Sequence, residues 1–181
     1  MSRVGNKIII IPEGVTVNIN DGVVAVAGPK GNQEFKLNDG ITVVAENGEV
    51  KVSRRDNSKS QRSLHGTSAR VIGNIITGLS AGFTRRLDFK GVGFTIVAEG
   101  NKMNMRLGYS HPVILDIPEG ITVNVVKNSI MVEGSSKELV GAFAAKLRDT
   151  KKPEVYKGKG IKYHEEIIKK KAGKAAQTAS S

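Results

Sequence analysis

Residues 153–163 have the composition of a surface that binds a polyanion. Their sequence is PEVYKGKGIKY, in which lysines alternate with glycines and tyrosines stand toward both ends. Lysine attracts phosphate oxygens, glycine lets a backbone approach a ligand closely, and a tyrosine ring can stack on a nucleobase. None of these side chains offers acid–base or nucleophilic chemistry at neutral pH. The segment therefore predicts binding, and its candidate contact residues are Tyr156, Lys157, Gly158, Lys159, Gly160, Lys162 and Tyr163.

The same segment is predicted to be disordered until a partner binds it. Fixing the backbone of residues 151–163 costs roughly 13–26 kcal/mol at about 1–2 kcal/mol per residue. Its four largest apolar side chains return at most ~6–12 kcal/mol on full burial. Repulsion between the lysines increases the deficit, so we expect RNA to order this loop.

Charge is concentrated in two regions of the chain. The whole protein has 28 Lys and Arg against 17 Asp and Glu, a net charge of +11. Residues 54–90 and 151–174 each carry a net charge of +6, and the remainder is nearly balanced. Such an excess favours nucleic acid or an anionic membrane as partner. A single charged region is usually an ordinary solvated surface. Two such regions on one chain make binding to nucleic acid the better interpretation.

Several classes of protein are not supported by the composition. There are no cysteines, which excludes disulfides and thiolate metal sites and fits a reducing compartment. The apolar run at Ile8–Ile11 is too short for a signal peptide, and no run approaches the ~20 residues of a membrane span. We expect a soluble cytoplasmic protein that does not bind membranes.

An internal repeat predicts two similar domains. The sequence IPEGVTVN at Ile11 returns as IPEGITVN at Ile117, 106 positions later, and the match continues without a gap to Gly28 and Gly134. This spacing is too long for a solenoid repeat. We predict domains at residues 1–81 and 82–174, followed by a small, polar, disordered tail at 175–181.

Each domain is predicted to be an antiparallel β-sheet packed against one helix, an α+β fold. Alternating strands are separated by turns such as Asp21-Gly22 and Asn47-Gly48. A helical stripe follows in the first domain, from Leu64 to Leu79. In the second, Ser136 should cap a helix whose buried stripe is Leu139, Val140, Phe143, Ala144 and Leu147.

Other candidate sites have plain structural alternatives. Gly91 and Gly93 form a turn or bulge, or allow close approach to RNA or to the other domain. Ser110 and His111 lie in a turn cluster that could equally be a polar contact surface. Arg62 and Arg70 flank the first helix, where they decorate its exposed face or meet RNA, and Lys169, Lys170 and Lys171 should track phosphates.

Catalysis, metal binding and cofactor binding are not predicted. The three histidines are far apart in the chain, without metal-ligand spacing, and Ser63 and His65 would not face each other on a helix. Gly91-Val92-Gly93 lacks the third glycine of a dinucleotide fingerprint, and no phosphate-binding loop motif occurs.

Four stretches resemble a known family. The opening with Ile11-Pro12, the helix segment at His65-Gly66-Thr67, residues 87–94 with 107–113, and residues 153–163 are similar to the bacterial form of protein six of the large ribosomal subunit. The resemblance extends from Met1 to about Lys174. Val155 departs from it where proline is usual, and Lys152 and Lys162 stand where arginine is common.

The resemblance implies two tandem α+β domains and binding to large-subunit ribosomal RNA. It also implies a place near the sarcin–ricin loop and the stalk base, beside neighbouring large-subunit proteins and the landing site of translational GTPases. The RNA-binding roles it carries over fall on residues 157–160 and Lys162, and further on Tyr156, Gly91, Gly93 and Ser110. The rival hypotheses are a general nucleic-acid or RNA-chaperone module without a fixed site, and an enzyme acting on RNA.

Overall fold

The computed structural model describes residues 4–171, which form two compact units. The first ends at Phe83 and the second begins at Thr84, with Ser135–Lys137 grouped with the first. The predicted division after Ala81 lies close to this one. The predicted tail at residues 175–181, with the first three residues, falls outside the described part of the chain.

The first unit contains six strands and one helix. Its two three-stranded antiparallel sheets have the orders β2-β3-β4 and β1-β6-β5. The elements are β1 (Ile9–Ile10), β2 (Thr16–Asn20), β3 (Val23–Gly28), β4 (Gly31–Lys36), β5 (Ile41–Glu46), β6 (Glu49–Arg54) and α1 (Lys59–Ser80).

Turn chemistry sets the ends of these elements. Both residues of Asp21-Gly22 and of Asn47-Gly48 have positive φ, the backbone that two-residue hairpin turns require, so these predicted hairpins are confirmed. Helix α1 begins where the side chain of Ser58 accepts a hydrogen bond from the Gln61 amide at 3.3 Å. It ends at Ser80, and Gly82, two residues further on, has the positive φ of 82° that is typical just after a helix.

The core of the first unit lies between α1 and the sheets. The predicted stripe of α1 is buried at Ser68, Ile72, Ile75, Ile76 and Leu79 and half-buried at Leu64 and Val71. Alternate residues of the strands meet it, namely Val24, Val26, Ile41, Val43, Val50 and Val52.

The second unit has seven strands and one helix. Its sheets have the orders β10-β9-β8 and β11-β12-β7-β13. The elements are β7 (Phe83–Lys90), β8 (Thr95–Glu99), β9 (Lys102–Arg106), β10 (Val113–Asp116), β11 (Ile121–Val126), β12 (Ser129–Gly134), α2 (Lys137–Thr150) and β13 (Gly160–Tyr163). Helix α2 buries Val140, Phe143, Ala144 and Leu147 as predicted, but Leu139 is 45% exposed, so its predicted inward position is wrong.

The α+β fold with duplicated domains is confirmed, with two sheets in each unit. Strands β7 to β12 followed by α2 repeat the order of β1 to β6 followed by α1, and the sheet β1-β6-β5 corresponds to β7-β12-β11. Strand β13 has no counterpart in the described part of the first unit, because no segment after α1 adds a fourth strand to the sheet β1-β6-β5.

The register of the predicted repeat is wrong. The hairpin β11–β12 precedes α2 as β5–β6 precedes α1, so Ile121 corresponds to Ile41, 80 positions earlier. The offset of 106 compares it instead with β2–β3, a hairpin of the other sheet. The two matching segments are both antiparallel hairpins that bury alternate residues, but they lie at different places in the fold.

Candidate nucleic-acid interface

Strand β13 positions the lysine–glycine segment on the second unit. It pairs antiparallel with β7, with Ile161 opposite Phe89 and Tyr163 opposite Leu87. Ile161 is completely buried. The lysine–glycine segment is therefore attached to the sheet through β13, the strand that the second unit has in addition to those of the first.

The loop before β13 is held by main-chain hydrogen bonds. The Ile161 amide donates to the Lys151 carbonyl at 2.8 Å, and the Glu154 amide donates to the Lys159 carbonyl at 2.9 Å. From the other side, the Lys171 amide donates to the Val155 carbonyl at 2.9 Å. The expected disorder of residues 151–163 is therefore wrong. Pairing with β7 and the main-chain hydrogen bonds with residues 151, 159 and 171 order the segment in addition to the burial of its apolar side chains.

The two loop glycines serve the protein's own backbone. Gly160 is buried with a φ of 138°, and a Cβ there would lie 2.6 Å from the Lys152 carbonyl oxygen and 2.7 Å from the Cα of Pro153. Glycine is therefore needed at position 160 because the main chain of residues 151–153 packs closely against it. Gly158, with a φ of 71°, provides the turn that presents the lysines on either side.

A cleft of about 400 Å³ brings several candidates together. Its lining comes from the β7–β8 turn, the β11–β12 turn and the loop before β13. Three of the lining residues are lysines and none is acidic, so a single sign of charge faces the cleft. The lining residues are Phe89, Lys90, Gly91, Val92, Phe94, Asn128, Lys157 and Lys159.

Gly91 is required by an aromatic ring inside the unit. A Cβ at this position would lie 2.6 Å from three ring atoms of Phe94. The turn between β7 and β8 is completed by Gly93, whose φ is 74°. The turn between β7 and β8 therefore explains why glycine stands at both positions. Gly91 also lines the cleft.

The two tyrosines have different surroundings. Tyr156 is 58% exposed at the loop. Tyr163 is half-buried, and the guanidinium carbons of Arg85 and Arg148 lie 4.8 Å and 5.8 Å from its ring centroid. These cation–π contacts give Tyr163 an internal role and leave Tyr156 as the better stacking candidate.

Glu166 organises the chain that follows β13. Its carboxylate accepts from Arg148 Nε at 2.8 Å, from Arg148 Nη2 at 2.5 Å and from the Tyr163 amide at 3.2 Å. Hydrogen bonding to Arg148, opposed by partial burial and aided by the Tyr163 amide, lowers the pKa of Glu166. The Lys162 ammonium donates to the Glu166 carbonyl at 3.1 Å, so it points along its own chain and does not line the cleft.

Of the three consecutive lysines that follow β13, the last two return to the loop before it. Lys169, Lys170 and Lys171 are exposed. The Cε of Lys170 lies 3.9 Å from where a Cβ of Gly158 would be, which places its charge beside Lys157 and Lys159.

The turn holding Ser110 and His111 leans on the end of α2. Both residues are exposed, and Ser110 Oγ lies 3.4 Å from His111 Nδ1. The neighbouring Tyr109 hydroxyl donates to the Thr150 carbonyl at 2.9 Å, and the Lys151 ammonium lies 4.1 Å from the Tyr109 ring centroid. This turn thus contacts the start of the loop but does not line the cleft.

The first unit carries its own cationic residues. Arg62 and Arg70 are exposed on α1, and Arg70 lines a groove with Lys7 and the β1 segment. Arg54 is occupied within the unit, because its Nη1 donates to Nδ1 of the buried His65 at 2.7 Å. His65 therefore donates from Nε2 to the Val52 carbonyl at 2.9 Å.

A serine, an aspartate and a histidine meet beside β13 without forming a catalytic triad. Ser129 Oγ donates to Asp88 Oδ1 at 2.7 Å, and His164 Nδ1 lies 2.7 Å from Asp88 Oδ2. Despite partial burial, hydrogen bonds from His164 and Ser129 lower the pKa of Asp88. Nucleophilic catalysis requires the histidine between the other two, whereas here the aspartate is central. Within residues 4–171, no group of three or more His, Asp and Glu could hold a metal ion, and neither helix is long and apolar enough to cross a bilayer.

Sequence reasoning missed five lining residues of the cleft: Phe89, Lys90, Val92, Phe94 and Asn128. Lys90 and Phe94 flank the Gly91-Val92-Gly93 turn, and that proximity was the available signal. Asn128 lies in the turn between β11 and β12, far from the other lining residues in the sequence. It reaches the cleft because this hairpin lies beside β7, where the Phe89 amide donates to the Asn128 carbonyl at 2.9 Å.

These features define a duplicated α+β protein with a cationic cleft on its second unit. The sequence matches the family model described as Ribosomal protein L6 at residues 11–82 and 90–164, whose two starting points lie 79 positions apart, in agreement with the structural repeat. The chain belongs to this ribosomal protein family, whose members are structural and non-enzymatic.

Individual relatives extend the match over almost the whole chain. It is 48% identical to "Large ribosomal subunit protein uL6" of Syntrophomonas wolfei over 176 residues, covering 97% of this chain and 98% of that protein. Proteins of the same name from Persephonella marina and Clostridioides difficile are each 45% identical, over 97% and 98% of this chain and 98% and 99% of theirs. The predicted family and its setting, the cytoplasmic ribosome, are confirmed.

Proposed function

We propose that the chain is a structural component of the large ribosomal subunit that binds its RNA through the second unit. The contact surface comprises the cleft, the loop before β13 and the neighbouring Lys169, Lys170 and Lys171. The observation that carries the proposal is the convergence of Lys90, Lys157 and Lys159 on a cleft without an acidic lining residue. Such a cluster neutralises phosphates that would otherwise repel each other.

The order of the loop supports recognition of one folded RNA. A preformed loop loses less entropy on binding than a disordered one, so its lysines keep fixed spacings that only a complementary backbone can match. Base edges in A-form RNA are poorly accessible, so recognition relies on backbone shape together with unpaired nucleotides.

The binding site we propose is the region near the sarcin–ricin loop and the base of the stalk. There the protein neighbours other large-subunit proteins and supports the surface where translational GTPases land. Arg62 and Arg70 of the first unit, and Ser110 and His111 of the second, are further proposed contacts that lie outside the cleft.

A competition experiment tests this function. Full-length protein is bound to a labelled large-subunit RNA fragment that contains the sarcin–ricin loop, at moderate salt, and challenged with unlabelled RNAs of equal length. We expect the unlabelled cognate fragment to compete at least tenfold better than an unrelated structured RNA. Equal competition by both would contradict the proposal and favour a general nucleic-acid-binding module.

A further inference from the structure

We propose that the cleft of the second unit accepts one unstacked nucleobase of the bound RNA. The inference rests on the proposed function and deepens it, because it names a base-binding site within a surface otherwise assigned to phosphates. Phosphate contacts require only exposed cations. They leave unexplained why the lysines surround a concave site with apolar walls.

The walls of the cleft are apolar and aromatic. Phe89 lies buried at 7% exposure, Phe94 is half-buried, and Val92 stands at the rim with 89% of its surface exposed. Flat apolar surfaces of this kind stack on bases, and proteins recognise unpaired RNA bases in this way.

The aromatic wall is preformed. The ring of Phe94 packs over the main chain of Gly91, where an added Cβ would lie 2.6 Å from three ring atoms, and one of these atoms, Cε1, would also lie 3.5 Å from a Cβ at Gly108. The ring therefore cannot turn freely toward its own backbone. A fixed wall reduces the entropy lost when a base enters.

The rim supplies the polar groups that a nucleotide needs. Lys90 lies opposite Gly160 in the β7–β13 pair, and Lys157 and Lys159 face it from the loop. Asn128 is exposed, and its turn is fixed by the hydrogen bond from the Phe89 amide to its carbonyl. Its side-chain amide has two donor hydrogens and one acceptor oxygen, which suits the edge of a base.

The size of the cleft fits this occupant. Its volume of about 400 Å³ lies in the range of roughly 300–1,000 Å³ for small-ligand pockets. A paired base cannot reach such walls because it remains stacked in its helix. The site therefore selects bulged, looped or single-stranded nucleotides over base-paired ones.

The test compares single-stranded with paired RNA on the full chain. Valine methyl groups are labelled with ¹³C, and the protein is titrated with a mixed-sequence RNA pentanucleotide and, separately, with a ten-base-pair RNA duplex. We expect ring-current shifts at the Val92 methyls with the pentanucleotide and not with the duplex. Shifts with both RNAs, or with neither, would overturn the inference.

Variants give the second measurement. Val92→Ala should weaken pentanucleotide binding about three- to tenfold, as expected when two apolar carbons leave a contact, and leave duplex binding unchanged. Ile167→Ala is the matched control, because Ile167 is equally exposed at 89% and does not line the cleft. A loss shared by both RNAs would contradict base binding.

The outcomes separate the two proposals. Selective binding of the cognate RNA fragment, with Val92 methyls unaffected by the pentanucleotide, would overturn the base site and leave the proposed function standing. Failure to bind any of these RNAs would overturn both.

Discussion

Arg148 holds the carboxylate of Glu166 with two parallel hydrogen bonds, from Nε at 2.8 Å and from Nη2 at 2.5 Å. This bidentate pair links α2 to the chain that follows β13. The same arginine lies against the ring of Tyr163, so one side chain secures both the last residue of β13 and the turn after it. The cationic loop is thereby fastened at its C-terminal side.

The first prediction concerns this pair and pH. Because hydrogen bonding from Arg148 depresses the pKa of Glu166 below its ordinary value of 4.5, the stabilisation is complete above that value and is lost as pH falls through the folded-state pKa. Glu166→Gln should lower the free energy of unfolding by about 1–2 kcal/mol at pH 7. The difference from the native chain should shrink below about pH 4.5, as followed by urea unfolding at several pH values.

Glu165→Gln is the control for this experiment. Glu165 pairs with Arg85 at 3.2 Å, but its side chain is 63% exposed, and exposed pairs contribute little. A pH-independent effect of Glu166→Gln, or an equal effect of the control, would contradict the assignment.

The second prediction concerns Gly160. An alanine there would collide with the Lys152 carbonyl and the Pro153 Cα at a φ of 138°, so Gly160→Ala should cost about 1–3 kcal/mol. Hydrogen exchange of the Ile161 amide should quicken, because β13 would detach locally. Gly141→Ala is the matched control, since nothing lies within 4 Å of an added Cβ in α2, and it should stabilise by about 0.5–1 kcal/mol. Unchanged stability and exchange in Gly160→Ala would show that the loop is not held as described.

The third prediction concerns the lysines at the cleft. Lys157→Ala together with Lys159→Ala should weaken binding to the sarcin–ricin-loop fragment and reduce the salt slope by about 0.7–0.9 per lost phosphate contact. Filter-binding titrations at several salt concentrations measure both quantities. The control replaces Lys102 and Lys146, two exposed lysines of the same unit that do not line the cleft. Equal losses in the two double variants would indicate non-specific charge attraction.

The fourth prediction separates the two tyrosines. Tyr156→Ala should weaken RNA binding by about 1–3 kcal/mol if its exposed ring stacks on a base, with no change in thermal stability. Tyr163→Leu should lower stability, because it removes the ring beside Arg85 and Arg148, and should affect RNA binding less. Calorimetry and filter binding together report the result, and the reverse pattern would refute it.

The sequence predicted the fold class, the hairpins and the helical stripes because these depend on local periodicity and turn chemistry. The turn glycines and the stripe from Leu64 to Leu79 needed no knowledge of the rest of the chain. The repeat register failed because two hairpins at different places in the fold have similar sequences, and only strand pairing distinguishes them.

The candidate site was predicted in part. Lys157 and Lys159 were identified from their alternation with glycine, and the structure places them on the cleft. The order of their loop could not be anticipated, because it comes from pairing with β7 and from the contact of residue 171 with residue 155. The roles of Gly160 and Tyr163 were likewise set by neighbours distant in sequence, namely residues 151–153 and Arg85 with Arg148.

The most direct test of the account is cross-linking in the assembled particle. A photoreactive benzoylphenylalanine is placed at position 157 in one variant and at position 102 in another, and each is incorporated into large subunits before irradiation. We predict cross-links from position 157 to ribosomal RNA in the sarcin–ricin region, and none from position 102 to that region. Cross-links from position 157 only to protein, or to RNA elsewhere in the subunit, would contradict the claim that this loop is the binding surface.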